Sequence, residues 1–252
     1  MFIEKAPVVT TQIMNDGIFL LKVFSPSIAS VAKPGQFCNI KVSGNSFPLL
    51  RRPFSICNVD GGSLFFLFDI HGEGTKILSE KNEGDCLEIL GPLGKGFVID
   101  GDYNTAVILA GGLGAAPFPF LVKNLPSDKN VVSFVGARSK KQIVKYGLQN
   151  VFTATDDGSE GFKGTVLDLF NEQLKKNPYN GIRIFACGPN AMLAAVQKYC
   201  NDNNYNCQLS IESAMACGFG ICQGCPVVSA VDDSYLLICK DGPVFEARAI
   251  ML

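Results

Sequence analysis

Four cysteines in the last part of the chain have the residue type and spacing to bind metal. Cys217, Cys222 and Cys225 form a C-x4-C-x2-C run, and Cys239 follows at the end of an apolar stretch that is predicted as a strand, residues 236–238. This spacing is typical of a plant-type [2Fe-2S] cluster held by four thiolates. Glycines alternate with the first three cysteines, which lets the backbone bend tightly and direct N–H groups at an anionic core.

Two other kinds of cysteine site stay open at this point. Four cysteines can bind structural zinc, although zinc sites usually consist of two separated C-x2-C pairs. A disulfide is less favoured, because the remaining cysteines are scattered through strand and helix patterns and suit small buried hydrophobic positions. His71 is the only histidine, so a His-rich metal site and a Ser-His-Asp triad are disfavoured. The chemistry is therefore expected to come from bound cofactors.

Length and composition limit the classes of protein that fit. A chain of 252 residues suits two compact domains and a small additional module. The formal net charge of −1, with no basic run, argues against nucleic acid or anionic lipid as partners. No signal-like segment or apolar run of membrane-spanning length is visible, so we expect no membrane association and a cytoplasmic location.

Residues 1–100 have the pattern of an antiparallel β-barrel. Short apolar runs at residues 17–23, 36–42 and 63–70 are separated by turns rich in Gly, Pro and Asn. A glycine-rich turn leads into a short predicted helix at residues 72–80, whose first amides could receive a phosphate.

The segment RPFS, on an apparent strand of this barrel, carries a guanidinium, an aromatic ring and a hydroxyl. Strand alternation places Arg52 and Phe54 on one side and Pro53 and Ser55 on the other. One ligand could contact all four only at a strand edge or bend. Arginine can bind a pyrophosphate and an aromatic ring can cover a flat ligand, but these residues alone favour a surface arginine pair beside a core phenylalanine.

From residue 101 to 208 the pattern changes to alternating strands and helices. An apolar strand at 105–110 leads into Gly111, Gly112 and Gly114, a phosphate-type turn that departs from the strict G-x-G-x-x-G fingerprint. Further strands are predicted at 130–135, 151–155 and 182–186. Helices are predicted at about 117–125, 140–147, 164–176 and 190–203.

Three turns of this part are expected to outline one crevice. They are the glycine turn, the turn containing Asp156, and Cys187-Gly188-Pro189. Because ligands of doubly wound sheets bind at the carboxyl ends of the strands, the three turns together predict a nucleotide site. Ordinary loop chemistry is the alternative.

Taken in order, RPFS, GEGT, GPLGKGF, GGLGAAP, CGP and the cysteine run resemble the ferredoxin reductase superfamily over essentially the whole chain. The segment ESAMACGFGICQGC, with CKDGPVF, resembles more narrowly the electron transfer subunits of class 1B dihydroorotate dehydrogenases. The resemblance implies an FAD-binding β-barrel at 1–100, a doubly wound NAD-binding α/β domain at 101–208 and a [2Fe-2S] module at 209–252.

The resemblance also implies which residues bind the cofactors. Arg52 would contact phosphate, Phe54 would lie beside the flavin and Ser55 near its reactive nitrogen. The implied FAD site is Arg52, Pro53, Phe54, Ser55, Asp69, Ile70, His71, Gly74 and Thr75. The implied nicotinamide nucleotide site is Gly111, Gly112, Gly114, Asp156, Cys187, Gly188 and Pro189. The cluster would be held by Cys217, Cys222, Cys225 and Cys239, and no catalytic residue is predicted.

By the same resemblance, electrons would pass from the FMN of a partner catalytic subunit through the cluster and FAD to NAD⁺, in pyrimidine biosynthesis. FAD is needed because it exchanges electrons singly or in pairs. We see no further large domain to house an orotate site. The chain is therefore expected to be inactive on dihydroorotate alone and to form a heterotetramer with two catalytic and two electron transfer subunits.

Two alternatives remain open. One is an NAD(P)H:ferredoxin oxidoreductase-type subunit of another redox complex, such as a sulfite reductase or an electron-bifurcating enzyme. NADP is not excluded, since residues 136–141 contain basic groups and no acid for a ribose hydroxyl. The other, from a different class, is a redox-sensing or zinc-binding module without catalysis.

Overall fold

The computed structural model describes residues 1–15, 17–45, 47–232 and 234–252. Its first part is a seven-stranded antiparallel sheet with the order β4-β3-β7-β1-β2-β6-β5. The strands are β1 (Phe2–Asn15), β2 (Ile18–Phe24), β3 (Phe37–Lys41), β4 (Arg52–Ser55), β5 (Asn58–Asp60), β6 (Ser63–Asp69) and β7 (Cys86–Leu93). Two short helices, α1 (Pro26–Ala29) and α2 (Glu73–Ser79), accompany them.

The sheet curls into the predicted barrel. The edge strand β4 comes into contact with β6, and alternate side chains of β6, Leu64, Phe66 and Phe68, are almost fully buried inside. The predicted runs correspond to β2, β3 and β6. Strand β1 was not predicted as a separate element, and it pairs with β7 through its first half and with β2 through its second.

The middle part is a doubly wound sheet, as predicted. Its strands are β8 (Thr105–Gly111), β9 (Asn130–Ala137), β10 (Val151–Thr155), β11 (Phe162–Lys163), β12 (Ile182–Cys187) and β13 (Asn206–Ser210), all parallel in the order β11-β10-β9-β8-β12-β13. The helices are α3 (Phe118–Asn124), α4 (Val166–Lys176) and α5 (Asn190–Asp202). The chain builds outward from β8 to one side and then returns to the other, so the strand order reverses between β8 and β12.

The prediction of a helix at residues 140–147 is wrong. Only Lys140–Gln142 form one 3-10 turn, and the following neighbours Ile143 and Val144 are both buried in the core. The Ile143 carbonyl accepts a hydrogen bond from Asn15 Nδ2 at 2.8 Å. Contacts with a strand 128 residues away therefore replace the local helical bonds.

The last part combines a small sheet with an extension of the middle one. Strands β14 (Pro226–Ser229), β15 (Tyr235–Leu237) and β17 (Ile250–Met251) form an antiparallel sheet, while β16 (Val244–Glu246) pairs antiparallel with β13. The strand predicted at 236–238 ends one residue early, because Ile238 begins the helical turn α6 (Ile238–Asp241). The domain boundaries at 100 and 208 stay a prediction.

The Gln208 side chain joins the middle sheet to the segment that follows the barrel. Gln208 of β13 is 2% exposed; its Oε1 accepts from the Val98 N–H at 2.9 Å and its Nε2 donates to the Val98 carbonyl at 3.0 Å. The amide thus pairs with the connecting segment as a neighbouring strand would.

In the described part of the chain, no helix combines the length and apolar character needed to cross a bilayer.

Candidate functional site

The first cavity, of about 190 Å³, lies where the barrel, the middle sheet and the cysteine segment meet. Pro53, Phe54 and Ser55 of β4 all line it, together with Asp69 and Thr75. Strand alternation alone would separate these β4 side chains. Because β4 is the edge strand of the sheet, one cavity reaches both of its faces. The sequence analysis required such an edge or a bend for one ligand to contact both faces.

An aromatic wall and a few polar groups characterise this cavity. The Phe54 ring meets Phe68 edge-on, with ring centroids 5.8 Å apart, and Phe68 also lines the cavity. Leu67, Leu113 and Met215 add apolar surface, and Ser55 and Asp69 supply a hydroxyl and a carboxyl. Such a mostly apolar cleft with few polar groups suits a flat ring system.

Arg52 lies outside the first cavity, next to the start of α2. Its guanidinium packs so closely on Gly74 that a Cβ there would lie 2.8 Å from Arg52 Nε. Thr75 Oγ1 accepts from the His71 N–H at 2.7 Å and donates to the Gly72 carbonyl at 3.1 Å, which fixes the turn. A cation and a fixed glycine-rich turn in contact can together hold a phosphate.

Ile70, which the resemblance also implied for the FAD site, is exposed and lines neither cavity.

The second cavity, of about 1040 Å³, lies at the carboxyl ends of β8, β9, β10 and β12. The three predicted turns all border it, together with two residues predicted for the flavin site: Gly111, Gly112, Gly114, Asp156, Gly188, Pro189, Asp69 and His71. A Cβ on Gly114 would overlap the Cys187 carbonyl, so only glycine allows the first turn to approach the third. The structure brings the turns together as the sequence predicted.

Cys187 differs from its neighbours in this turn. Its side chain is 1% exposed and lines neither cavity. Burial, followed by the charge of Glu212, raises the pKa of this thiol far above its ordinary range. Contact between Cys187 and a nucleotide stays a prediction, and the thiol is held neutral.

Glu212 is a site residue that the sequence analysis did not identify. It borders both cavities, as do Asp69, Leu113 and Ser213. The residue is exposed toward the open cavities, but protein lies close around its carboxyl on the other sides, and this partial desolvation, followed by the charge of Asp69, raises its pKa. A carboxyl that keeps its proton more tightly than usual therefore lies where the two cavities join. In the sequence, the feature that could have identified Glu212 is its position just before the cysteine run.

The four cysteine thiols are arranged as two pairs. Cys225 and Cys239 are buried, with their Sγ atoms 3.2 Å apart. Cys217 Sγ accepts from the Cys222 N–H at 3.4 Å and interacts with the Cys222 thiol. Among the described residues, no three His, Cys, Asp or Glu side chains converge on one point. Two pairs of thiols suit a cluster of two irons, whereas zinc needs all its ligands around one ion.

Backbone amides surround the Cys217 sulfur. Burial raises the pKa of this thiol, but hydrogen bonds from the N–H groups of Cys222, Phe219 and Ile221 oppose that effect and bring the pKa down to about 6. Burial and the neighbouring Cys225 raise the pKa of Cys239 to about 12, although the Gly220 N–H lowers it. Amides directed at sulfur stabilise negative charge, which is what an anionic iron–sulfur core requires.

Comparison with known proteins agrees with this arrangement. Residues 212–251 match the family described as the iron-sulfur cluster binding domain of dihydroorotate dehydrogenase B. The chain is 38% identical over 222 residues to the dihydroorotate dehydrogenase B (NAD(+)) electron transfer subunit of Caldanaerobacter subterraneus subsp. tengcongensis, covering 86% of this chain and 87% of that one. It is 36% identical over 256 residues to the subunit of the same name from Desulforamulus reducens, covering 98% and 97%.

Solved structures show the same architecture. A chain from the structure of an NADH-dependent reduced ferredoxin-NADP oxidoreductase superimposes with a TM-score of 0.87 at 25% identity, covering 98% of this chain and 90% of that one. The ferredoxin reductase of carbazole 1,9a-dioxygenase has the same fold, with a TM-score of 0.64 at 22% identity, over 81% and 67%.

The barrel, the doubly wound sheet and the cysteine loop define an iron–sulfur oxidoreductase subunit with the ferredoxin reductase fold. Within that class, the chain belongs to the family of dihydroorotate dehydrogenase B electron transfer subunits. The fold class and the family expected from the sequence are both confirmed.

The raised pKa of Glu212 makes a prediction about pH and stability. A folded-state pKa above the unfolded value means that the ionised carboxylate destabilises the fold above that pKa. We expect Glu212→Gln to raise the thermal unfolding midpoint at pH 7.5, and the gain to shrink as the pH falls to about 3.5, where the carboxyl is mostly protonated in both states.

The measurement is thermal unfolding at both pH values without added nucleotide. The control is Glu83→Gln, on an exposed turn away from both cavities, which should give no pH-dependent gain. A gain for Glu212→Gln that is equal at both pH values would contradict the explanation.

Proposed function

We propose that this chain is the electron transfer subunit of a dihydroorotate dehydrogenase and passes electrons from the FMN of a catalytic subunit to NAD⁺ in pyrimidine biosynthesis. One observation carries the proposal. The segment from Ser210 to Met215 lines the first cavity, Glu212 and Ser213 within it also border the second, and Cys217 follows two residues later. A single short segment thus joins all three candidate sites.

The residues of the first cavity fit FAD. Phe54 and the edge of β4 provide a wall for the flavin ring, and Ser55 and Asp69 are the polar groups beside it. We assign Arg52, Gly74 and Thr75 to the pyrophosphate; the support is the packing of the Arg52 guanidinium on Gly74 and the hydrogen bond that fixes Thr75 in the turn. When bound, FAD supplies a centre that exchanges electrons singly or in pairs, and so links iron–sulfur chemistry to hydride chemistry.

The second cavity fits a nicotinamide nucleotide. Its glycine turn supplies backbone amides without side chains in the way, and Asp156 and Pro189 border the other sides. Because the two cavities share lining residues, the nicotinamide end of a bound nucleotide would lie next to the flavin end of FAD. We infer NAD as the coenzyme because the relatives are named for NAD(+), although Arg138 also borders this cavity.

The cluster is assigned to Cys217, Cys222, Cys225 and Cys239. Cys225 and Cys239 lie in the core, whereas Cys222 and the adjacent Ile221 are exposed, Ile221 by 75%. One end of the cluster loop therefore reaches the surface with an apolar side chain beside it. Such a surface suits docking of a redox partner, which we identify with the FMN-containing catalytic subunit.

Three finer points of the proposal rest on the family. We propose a heterotetramer of two catalytic and two electron transfer subunits, and a chain that does not act on dihydroorotate alone. We also propose a cytoplasmic location, because none of the ten cysteines forms a disulfide and cytoplasmic conditions keep thiols reduced.

A second candidate is supported by one observation. The TM-score of 0.87 to the NADH-dependent ferredoxin-NADP oxidoreductase chain favours a subunit of another redox complex that shares these cofactors. Sequence identity of 36% to 38% with the dihydroorotate dehydrogenase subunits, against 25% for that chain, favours the first. The paired thiols argue against a zinc module.

Replacing Cys222 with serine tests the cluster site. Cys222→Ser removes one thiolate of the Cys217–Cys222 pair while leaving both cavities intact, so the purified chain should lose its iron and its [2Fe-2S] absorption and keep FAD. Iron analysis and visible spectra provide the measurement.

Cys86→Ser is the matched control for this variant. Cys86 is exposed and lies in the barrel, so its replacement should preserve both cofactors. A Cys222→Ser chain that loses FAD and retains the cluster would contradict the assignment.

Activity assays test the need for a partner. The isolated chain, loaded with its cofactors, should oxidise NADH with an artificial acceptor and should not oxidise dihydroorotate, because its two cavities are assigned to FAD and NAD. Adding a dihydroorotate dehydrogenase catalytic subunit should restore dihydroorotate-dependent reduction of NAD⁺. Turnover of dihydroorotate by the isolated chain would overturn the accessory role.

A further inference from the structure

Asn39 is a polar residue in an apolar contact between the barrel and the cysteine segment. It lies on β3 and is 1% exposed. Its neighbours Phe37, Leu90 and Leu93 belong to the same buried apolar cluster as Cys225 and Cys239. A buried amide among such residues needs a specific reason, because an apolar side chain would be placed there at lower cost.

The Asn39 side chain contacts the first two residues of the cluster loop. Its Nδ2 donates to the Cys217 carbonyl at 3.2 Å. Gly218 has φ of +79°, and a Cβ at that position would overlap the Asn39 amide. The loop backbone therefore lies directly on Asn39, and only glycine allows this approach.

The other end of the amide supports the same conclusion. Asn39 Oδ1 is buried, and no donor among the described residues reaches it. The orientation is fixed by Cys217, since an oxygen facing that carbonyl would be repelled. An unsatisfied buried acceptor is destabilising, so the amide contributes more to the position of the loop than to the stability of the barrel.

Asn39 also lies one strand away from the candidate flavin site. In the register of β3 with β4, Asn39 is opposite Pro53, Cys38 is opposite Phe54 and Phe37 is opposite Ser55. Pro53, Phe54 and Ser55 line the first cavity. The residue that holds the Cys217 carbonyl is thus paired with the wall of that cavity.

We propose that Asn39 is a positioning residue that fixes the Cys217 end of the cluster loop to the flavin barrel. The peptide group is planar and trans, so holding the Cys217 carbonyl toward Asn39 also fixes the plane of the Cys217–Gly218 peptide. The amides of the loop then stay directed at Cys217 Sγ, and the loop keeps one distance from the flavin wall. This inference rests on the proposed function, since it assigns a role toward the cluster and the flavin.

Two variants of similar size separate hydrogen bonding from packing. Asn39→Leu removes the donor and keeps the volume, while Asn39→Asp keeps the shape and, when ionised, places an oxygen against the Cys217 carbonyl. If the donor is what matters, Asn39→Leu loses the restraint at every pH, and Asn39→Asp loses it at high pH, where the carboxyl has no proton to donate. If packing alone matters, Asn39→Leu behaves as the unaltered protein, and the inference is overturned.

The variants are compared in the full chain loaded with FAD and the cluster. Three quantities are measured: iron release to a chelator, the electron paramagnetic resonance spectrum of the reduced cluster, and the separate rates of flavin and cluster reduction by NADH. Loss of a hydrogen bond of about 1 kcal/mol should speed iron release about fivefold. The spectrum should change and cluster reduction should slow, while flavin reduction stays within about twofold, because no contact in the NAD cavity changes.

Asn124→Leu is the matched control. Asn124 donates from Nδ2 to the Phe120 carbonyl at 2.8 Å, the same kind of bond at the end of α3, away from the cysteines. It should leave all three quantities unchanged. Asn39 variants that equal this control in iron release and in the resonance spectrum would overturn the inference.

Loss of a cofactor would also distinguish between the possible roles of Asn39. Loss of the cluster with FAD retained in either Asn39 variant is the extreme form of the expected result. Loss of both cofactors in both variants indicates a general barrel defect and overturns the positioning role. If the unaltered chain itself carries no flavin or cluster, the proposed function fails, which is distinguishable because the failure does not depend on residue 39.

Discussion

Negative charge on sulfur has to be stabilised in this protein by the backbone. The N–H groups of Phe219, Ile221 and Cys222 reach Cys217 Sγ and outweigh the effect of its burial on the pKa. Amides can do this only in a tightly folded loop, and such a loop needs external support. The support comes from β3 of the barrel on one side and from the buried Cys225 and Cys239 on the other.

The segment that supports the cluster loop also connects the three candidate sites. The segment that leaves β13 borders the first cavity, then the second, and then forms the cluster loop. The edge position of β4 gives the barrel a side that opens toward this segment, and the reversal of strand order beside β8 opens the nucleotide crevice there. Glu212, with its raised pKa, lies where the cavities join and can hold a proton between them.

The sequence predicted the features that depend on local pattern. The cysteine spacing, the buried strand β8 with its glycine turn, and the turns at Asp156 and Gly188 were all recognised, and the structure brings those three turns around one cavity. Features set by distant contacts were not predictable. In the 140–147 segment, which is not a helix, Ile143 and Val144 are buried in the core and the Ile143 carbonyl accepts from Asn15. Asn39 and β16 acquire their roles only from residues far away in the chain.

The central claim is that a flavin and a [2Fe-2S] cluster lie in electron contact within this single chain. An anaerobic titration of the purified protein with NADH tests it most directly, with visible absorption following the flavin and electron paramagnetic resonance following the cluster. The account predicts that the flavin absorption bleaches and that the resonance of a reduced [2Fe-2S] cluster grows in the same titration. Bleaching of the flavin with no such resonance in protein that contains iron would contradict it.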